Sequence, residues 1–121
     1  MSIRILIADD QSLVRTGFRM ILDAEPDLDV VGEAVDGREA VDKAKAAKPD
    51  VILMDIRLPD MEGTDATRRL KDDTRTAGIP VVALTSLTTN ERSFREAGFD
   101  GYLEKPISVA EFPEQVRGYC R

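Results

Sequence analysis

Short apolar runs and amphipathic stretches alternate along the chain. The runs are Ile3–Ala8, Val30–Ala34, Val51–Met54, Val81–Leu84 and Gly101–Leu103. Each has the length of a strand, and most are rich in β-branched residues. The first, third and fourth are almost continuously apolar, which suits strands of a parallel sheet covered on both faces. The segments between them carry helical spacing. Leu13, Val14, Phe18, Ile21 and Leu22 are read as one face of a first helix. Asp36 is placed to cap a second helix, with Ala40, Val41, Ala44 and Ala47 on its apolar side. A third helix is expected from Thr64 to about Lys71 and a fourth from Thr89 to Ala97. A fifth starts at Ser108 as cap and turns Val109, Phe112, Val116 and Tyr119 inward.

Five such alternations predict a three-layer α/β domain around a parallel sheet. The 121 residues fit one domain, spanning 1–121. Ligands of such folds sit beyond the carboxyl ends of the strands, at a switch point in strand order. The residues at those ends therefore matter most: Asp9 and Asp10, Glu33 and Ala34, Asp55, Thr85 and Ser86, and Glu104 to Pro106.

Composition narrows the chemistry. Apolar residues make up 42% and charged residues 33%, enough for a packed core. The net charge of −6 argues against direct nucleic-acid binding by phosphate neutralisation. The chain has no histidine, which excludes Ser-His-Asp and Cys-His mechanisms and any histidine-ligated zinc. The lone Cys120 can form no internal disulfide, so the chain reads as cytoplasmic. No apolar run nears the ~20 residues of a membrane span, and the N-terminus lacks the plan of a signal peptide.

Asp9, Asp10, Asp55, Thr85 and Lys105 would share one rim if the first, third, fourth and fifth strands are neighbours. Clustered carboxylates raise at least one pKa unless a cation relieves them. Mg²⁺ accepts such oxygen ligands together with water and phosphate. Lys105 supplies a point charge for a phosphoryl oxygen and Thr85 a hydrogen bond. Positioning and charge neutralisation are most of what phosphoryl transfer needs, and a carboxylate can itself become an aspartyl phosphate.

At these residues the chain resembles the receiver (CheY-like) domain of two-component response regulators. The resemblance rests on LIADDQ, VILMDIRLPDMEG, VVALTS and GYLEKPI, in order and each at a strand end. It implies a flavodoxin-like (βα)5 fold with strand order 2-1-3-4-5. It implies Asp55 as phosphoacceptor, with Thr85 and Lys105 holding the phosphoryl group. Asp9, Asp10, Asp55 and the backbone carbonyl of Arg57 would hold Mg²⁺. The Lys105–Pro106 bond would be cis, and Thr85 and Tyr102 would switch together, reshaping the face of the fourth helix, fifth strand and fifth helix. A sensor histidine kinase or phosphotransfer protein would supply the phosphoryl group. The resemblance leaves open a homodimer formed on phosphorylation, and it makes the chain no enzyme beyond its own phosphorylation and dephosphorylation.

Residues 1 to about 70 look most like receivers of LuxR-type (nitrate and nitrogen-fixation class) regulators. Those from about 72 look more like stand-alone receivers. The stretch between Thr85 and Gly101 is about two residues shorter than usual. Leu87, Thr88, Thr89 and Asn90 make a polar start to the fourth helix, and small Ser86 would leave a phosphoryl group accessible to water. Two other readings stand beside this one. A pseudo-receiver would act as a phosphorylation-independent interaction module. A haloacid-type phosphatase would want a second acid two residues after its nucleophile, where this chain has Arg57.

Overall fold

A computed structural model describes residues 2–85 and 91–120. Its strands are β1 (Ile3–Ala8), β2 (Leu28–Ala34), β3 (Val51–Asp55), β4 (Val81–Thr85) and β5 (Gly101–Glu104). The helices between them are α1 (Ser12–Asp23), α2 (Gly37–Ala47), α3 (Gly63–Asp72), α4 (Glu91–Ala97) and α5 (Phe112–Arg117). All strand pairs are parallel, and the order is β2-β1-β3-β4-β5. This is the doubly wound flavodoxin-like arrangement, with helices on both faces.

Alternation along the central strands divides the core in two. Ile5, Ile7, Val51, Leu53, Val82 and Leu84 face Phe18 and Leu22 of α1 and Phe112 and Val116 of α5. Leu6, Ala8, Ile52, Met54, Val81 and Ala83 face α2, α3 and α4. The register pairs Ile5 with Val51 and Ile7 with Leu53, so like faces coincide across the ladder. These are the strands whose sequence is continuously apolar, because neither face meets water.

Helix starts and faces depart from the pattern in places. Asp36 caps α2, its Oδ1 accepting from the Glu39 amide at 2.8 Å. In α1, Phe18 and Leu22 are buried, but Leu13 is 86% exposed. Leu13 lies five positions before Phe18, roughly 140° away round the helix, so it points off the buried stripe. The fifth helix begins at Phe112, not after Ser108, with Glu111 as N-cap. Pro113 explains the shift: in a helix starting at Val109 it would fall past the first turn, where its missing N–H would break a bond. The residues before it form a turn in which the Ser108 carbonyl accepts from Glu111 and Phe112. Val109 is left 66% exposed, while Phe112 and Val116 are buried and Tyr119 packs at the core's edge. The expected start of the fourth helix at Thr89, the capping run Leu87–Asn90 and the inference about Ser86 lie outside the described residues. No described helix is long and apolar enough to cross a membrane.

Candidate phosphoacceptor site

The carboxyl ends of β1, β3, β4 and β5 meet at one rim. Ala8 pairs with Met54, Asp55 with Leu84, and Thr85 with Glu104. Asp9 and Asp55 therefore emerge level with each other, and Thr85 and Lys105 close the far side. The Lys105 amide donates to the Thr85 carbonyl at 2.7 Å, and the Lys105–Pro106 peptide is cis. A cavity of about 330 Å³ opens here, lined by Asp10, Asp55, Arg57, Thr85 and Lys105 among others.

Carboxylate oxygens of Asp9, Asp10 and Asp55 lie within 4.8 Å of one another. Asp9 is buried, Asp55 half-buried and Asp10 exposed. The Lys105 ammonium sits 3.4 Å from Asp9 Oδ2 and 3.9 Å from Asp55 Oδ1. Three hard oxygen donors with one face open to solvent fit Mg²⁺, which keeps several waters and takes few carboxylates. Asp9 Oδ1 already accepts from the Gln11 amide at 2.9 Å, leaving Oδ2 toward the cluster. Thr85 is buried at the end of β4. Tyr102 lies further from the rim, half-buried, its ring 5.5 Å from that of Phe94 on α4.

Burial pushes the Asp55 carboxyl above the ordinary carboxylate range; Lys105 pulls it down, and the Asp9 and Asp10 charges add to the rise. An acid with a higher pKa folded than unfolded holds more protons in the folded state between the two values. Stability then falls as pH rises through that window, and at neutral pH the ionised Asp55 is a net cost. In metal-free buffer at pH 7, Asp55→Asn should therefore melt a few degrees above the unchanged chain. The gap should close as pH falls below the ordinary carboxylate range, a trend that scanning calorimetry across pH reads directly.

The sequence pattern did not single out the residues that brace this rim. Asp60, in the loop after Asp55, accepts from the Gly37 and Arg38 amides at 2.8 and 3.0 Å and so ties that loop to the start of α2. Desolvation pushes the Asp60 carboxyl up, but hydrogen bonds from the Gly37, Arg38, Asp60 and Met61 amides together hold it below the usual range. Arg15 on α1 donates to the Asp9 carbonyl at 2.6 Å and to Glu33 Oε1 at 3.1 Å. In the sequence Arg15 is one more base on a polar helix face, and Asp60 one more acid in a Pro-containing turn.

Residues 5–117 match the family model for the response regulator receiver domain. The response regulator protein VraR of Staphylococcus aureus is 40% identical over 123 residues, covering 100% of this chain and 58% of the relative. The chain thus spans less than two thirds of that protein's length. The response regulator domain of Thermotoga maritima CheB superposes with a TM-score of 0.87 at 34% identity, covering 99% of this chain and 97% of the other. The receiver domain of sensor histidine kinase PA1611 from Pseudomonas aeruginosa superposes with a TM-score of 0.87 at 30% identity, covering 99% and 98%. That structure holds a magnesium ion in its active site cleft.

Proposed function

The chain belongs to the response regulator receiver domain family, and we propose that Asp55 is its phosphoacceptor in Mg²⁺-dependent transfer from a phosphohistidine. The carrying observation is the meeting of three carboxylates within 4.8 Å beside the Lys105 ammonium. In the step, an Asp55 carboxylate oxygen attacks phosphorus and the bond to the donor's imidazole nitrogen breaks. The imidazole leaves with the electron pair and takes a proton from water. Hydrolysis of the acyl phosphate restores Asp55 and releases inorganic phosphate, and no separate substrate is turned over.

Bound Mg²⁺ would neutralise charge on the carboxylates and the incoming phosphoryl oxygens. Asp9, Asp10, Asp55 and the Arg57 carbonyl are its protein ligands on this reading, with Asp9 acting through water. Lys105 and Thr85 hold phosphoryl oxygens. Because these 121 residues contain no histidine, the donor histidine lies outside them, on a sensor histidine kinase or phosphotransfer protein. A cytoplasmic site of action accords with that partner. Thr85 and Tyr102 form the switch: contact of Thr85 with the phosphoryl group favours an inward Tyr102 and a reshaped α4-β5-α5 face, a population shift driven by contacts one state lacks. A homodimer through that face is the output this reading allows.

Intact-mass spectrometry after incubation with Mg²⁺ and acetyl phosphate tests the acceptor. One phosphoryl group should appear on the unchanged chain and none on Asp55→Asn. Failure of both the adduct and a beryllofluoride complex would favour the pseudo-receiver.

A further inference from the structure

Arg15 does not line the cavity, yet it grips the backbone at the acidic rim. Its side chain is 12% exposed. One guanidinium nitrogen, Nη1, donates 2.6 Å to the Asp9 carbonyl, and Nε donates 3.1 Å to Glu33 Oε1. The other Glu33 oxygen accepts from Arg19 Nη1 at 2.7 Å. Lys43 reaches the Glu33 carbonyl from α2. Arg15 thus joins α1, the end of β1 and the end of β2 through a fork whose far prong is itself pinned.

The carbonyl it grips belongs to the peptide that joins Asp9 to Asp10. Fixing that peptide fixes the direction in which both side chains leave the backbone. The upstream side is held by the Asp9 amide on the Ala34 carbonyl at 3.0 Å. The downstream side is held by the Gln11 amide on Asp9 Oδ1. Arg15 supplies the contact between them, on the peptide that leads into Asp10, which is exposed at the rim.

We propose that Arg15, oriented by Glu33, is a positioning residue that holds the Asp9–Asp10 peptide in the geometry needed for divalent-cation binding. The proposal rests on the metal role given above to the two acids. It makes a prediction opposite in sign to simple electrostatics. Removing a positive charge near an acidic cluster should tighten a cation; removing a brace should weaken it.

The test is Mg²⁺ affinity, read by competition against Mn²⁺ in electron paramagnetic resonance, for the unchanged chain, Arg15→Met and Arg19→Met. Arg15→Met should bind Mg²⁺ about tenfold more weakly, the lower end of the loss seen when residues supporting metal ligands are removed. Arg19→Met, which loses a Glu33 pair but no contact with Asp9, should stay within about twofold of the unchanged chain. Acetyl phosphate labelling of Arg15→Met should need more Mg²⁺ yet reach the same plateau rate, since Asp55 and Lys105 are untouched. Arg15→Gln, polar and better suited to the same partly buried place, should give the same sign should the methionine variant not fold. Equal or tighter Mg²⁺ binding in the folded Arg15 variant, even with a lowered melting temperature, would reduce Arg15 to a structural role and overturn the proposal. An unchanged chain that binds no divalent cation would overturn the proposal together with the reading it rests on, whereas normal binding there with no effect of Arg15 sinks the proposal alone.

Discussion

Lys105→Met should lower the rate of phosphoryl acceptance by about a hundredfold or more, comparable to removing one preorganised donor from a charged transition state. The ammonium lies 3.4 Å from Asp9 and 3.9 Å from Asp55, at the inner wall of the cavity. Methionine keeps most of the apolar stem and removes only the charge and its donors. Mg²⁺ binding should move the other way. Lys105 competes with a cation for Asp9 and Asp55, so its loss should leave Mg²⁺ affinity equal or tighter. The same loss removes the one influence from Lys105 that pulls the Asp55 pKa down, so the carboxyl should titrate higher still. Stopped-flow or mass-spectrometric labelling with acetyl phosphate, run beside a Mn²⁺ competition, separates the two effects. A parallel fall in metal affinity and labelling would mean that Lys105 orders the site as a whole and has no role of its own at the phosphoryl group.

The opposite signs follow from where the charges sit, and that placement was largely legible in the sequence. β1, β3 and β4 are buried on both faces, so their apolar runs mark them without ambiguity, and the residues just after them fall on one rim by topology. Asp9, Asp55, Thr85 and Lys105 were accessible by that route. What the chain pattern could not give were pairings set by tertiary placement. Arg15 finds Glu33 eighteen residues on, and Asp60 finds the Gly37 and Arg38 amides twenty-three and twenty-two residues back. Nothing periodic announces either. Apolar residues misled in the reverse sense. Leu13 and Val109 look like core positions by composition, but helix phase turns one outward and Pro113 delays the helix that would bury the other. β2 extends back to Leu28 because its ladder with β1 starts at Ile3, although Asp29 interrupts the apolar run there.

Gly63→Ala should be among the most damaging small changes in the molecule. Gly63 begins α3 directly behind β3, the strand that ends at Asp55, and its amide donates to the Ile56 carbonyl. A Cβ built there would overlap the Asp55 carbonyl oxygen and come within 2.9 Å of Ile56 Cα. Both are backbone atoms of the segment that carries Asp55, and neither can rotate aside as a side-chain end would. Either α3 lifts away from the sheet, or Asp55 and Ile56 are pushed toward the cavity. The cost should be about 2–3 kcal/mol, in the range of overpacking a closed interior, and the melting temperature should drop by roughly 10 °C. On the proposed reading, labelling at Asp55 should fall in the fraction that remains folded, because the strain bears on that residue's own backbone. Gly17→Ala is the internal control. It lies within α1, nothing stands within 4 Å of its built Cβ, and alanine there should add about 0.5–1 kcal/mol through helix propensity alone. Thermal melts of the two variants should therefore shift in opposite directions, and a tolerated Gly63→Ala with normal labelling would show that the α3 start yields without disturbing Asp55.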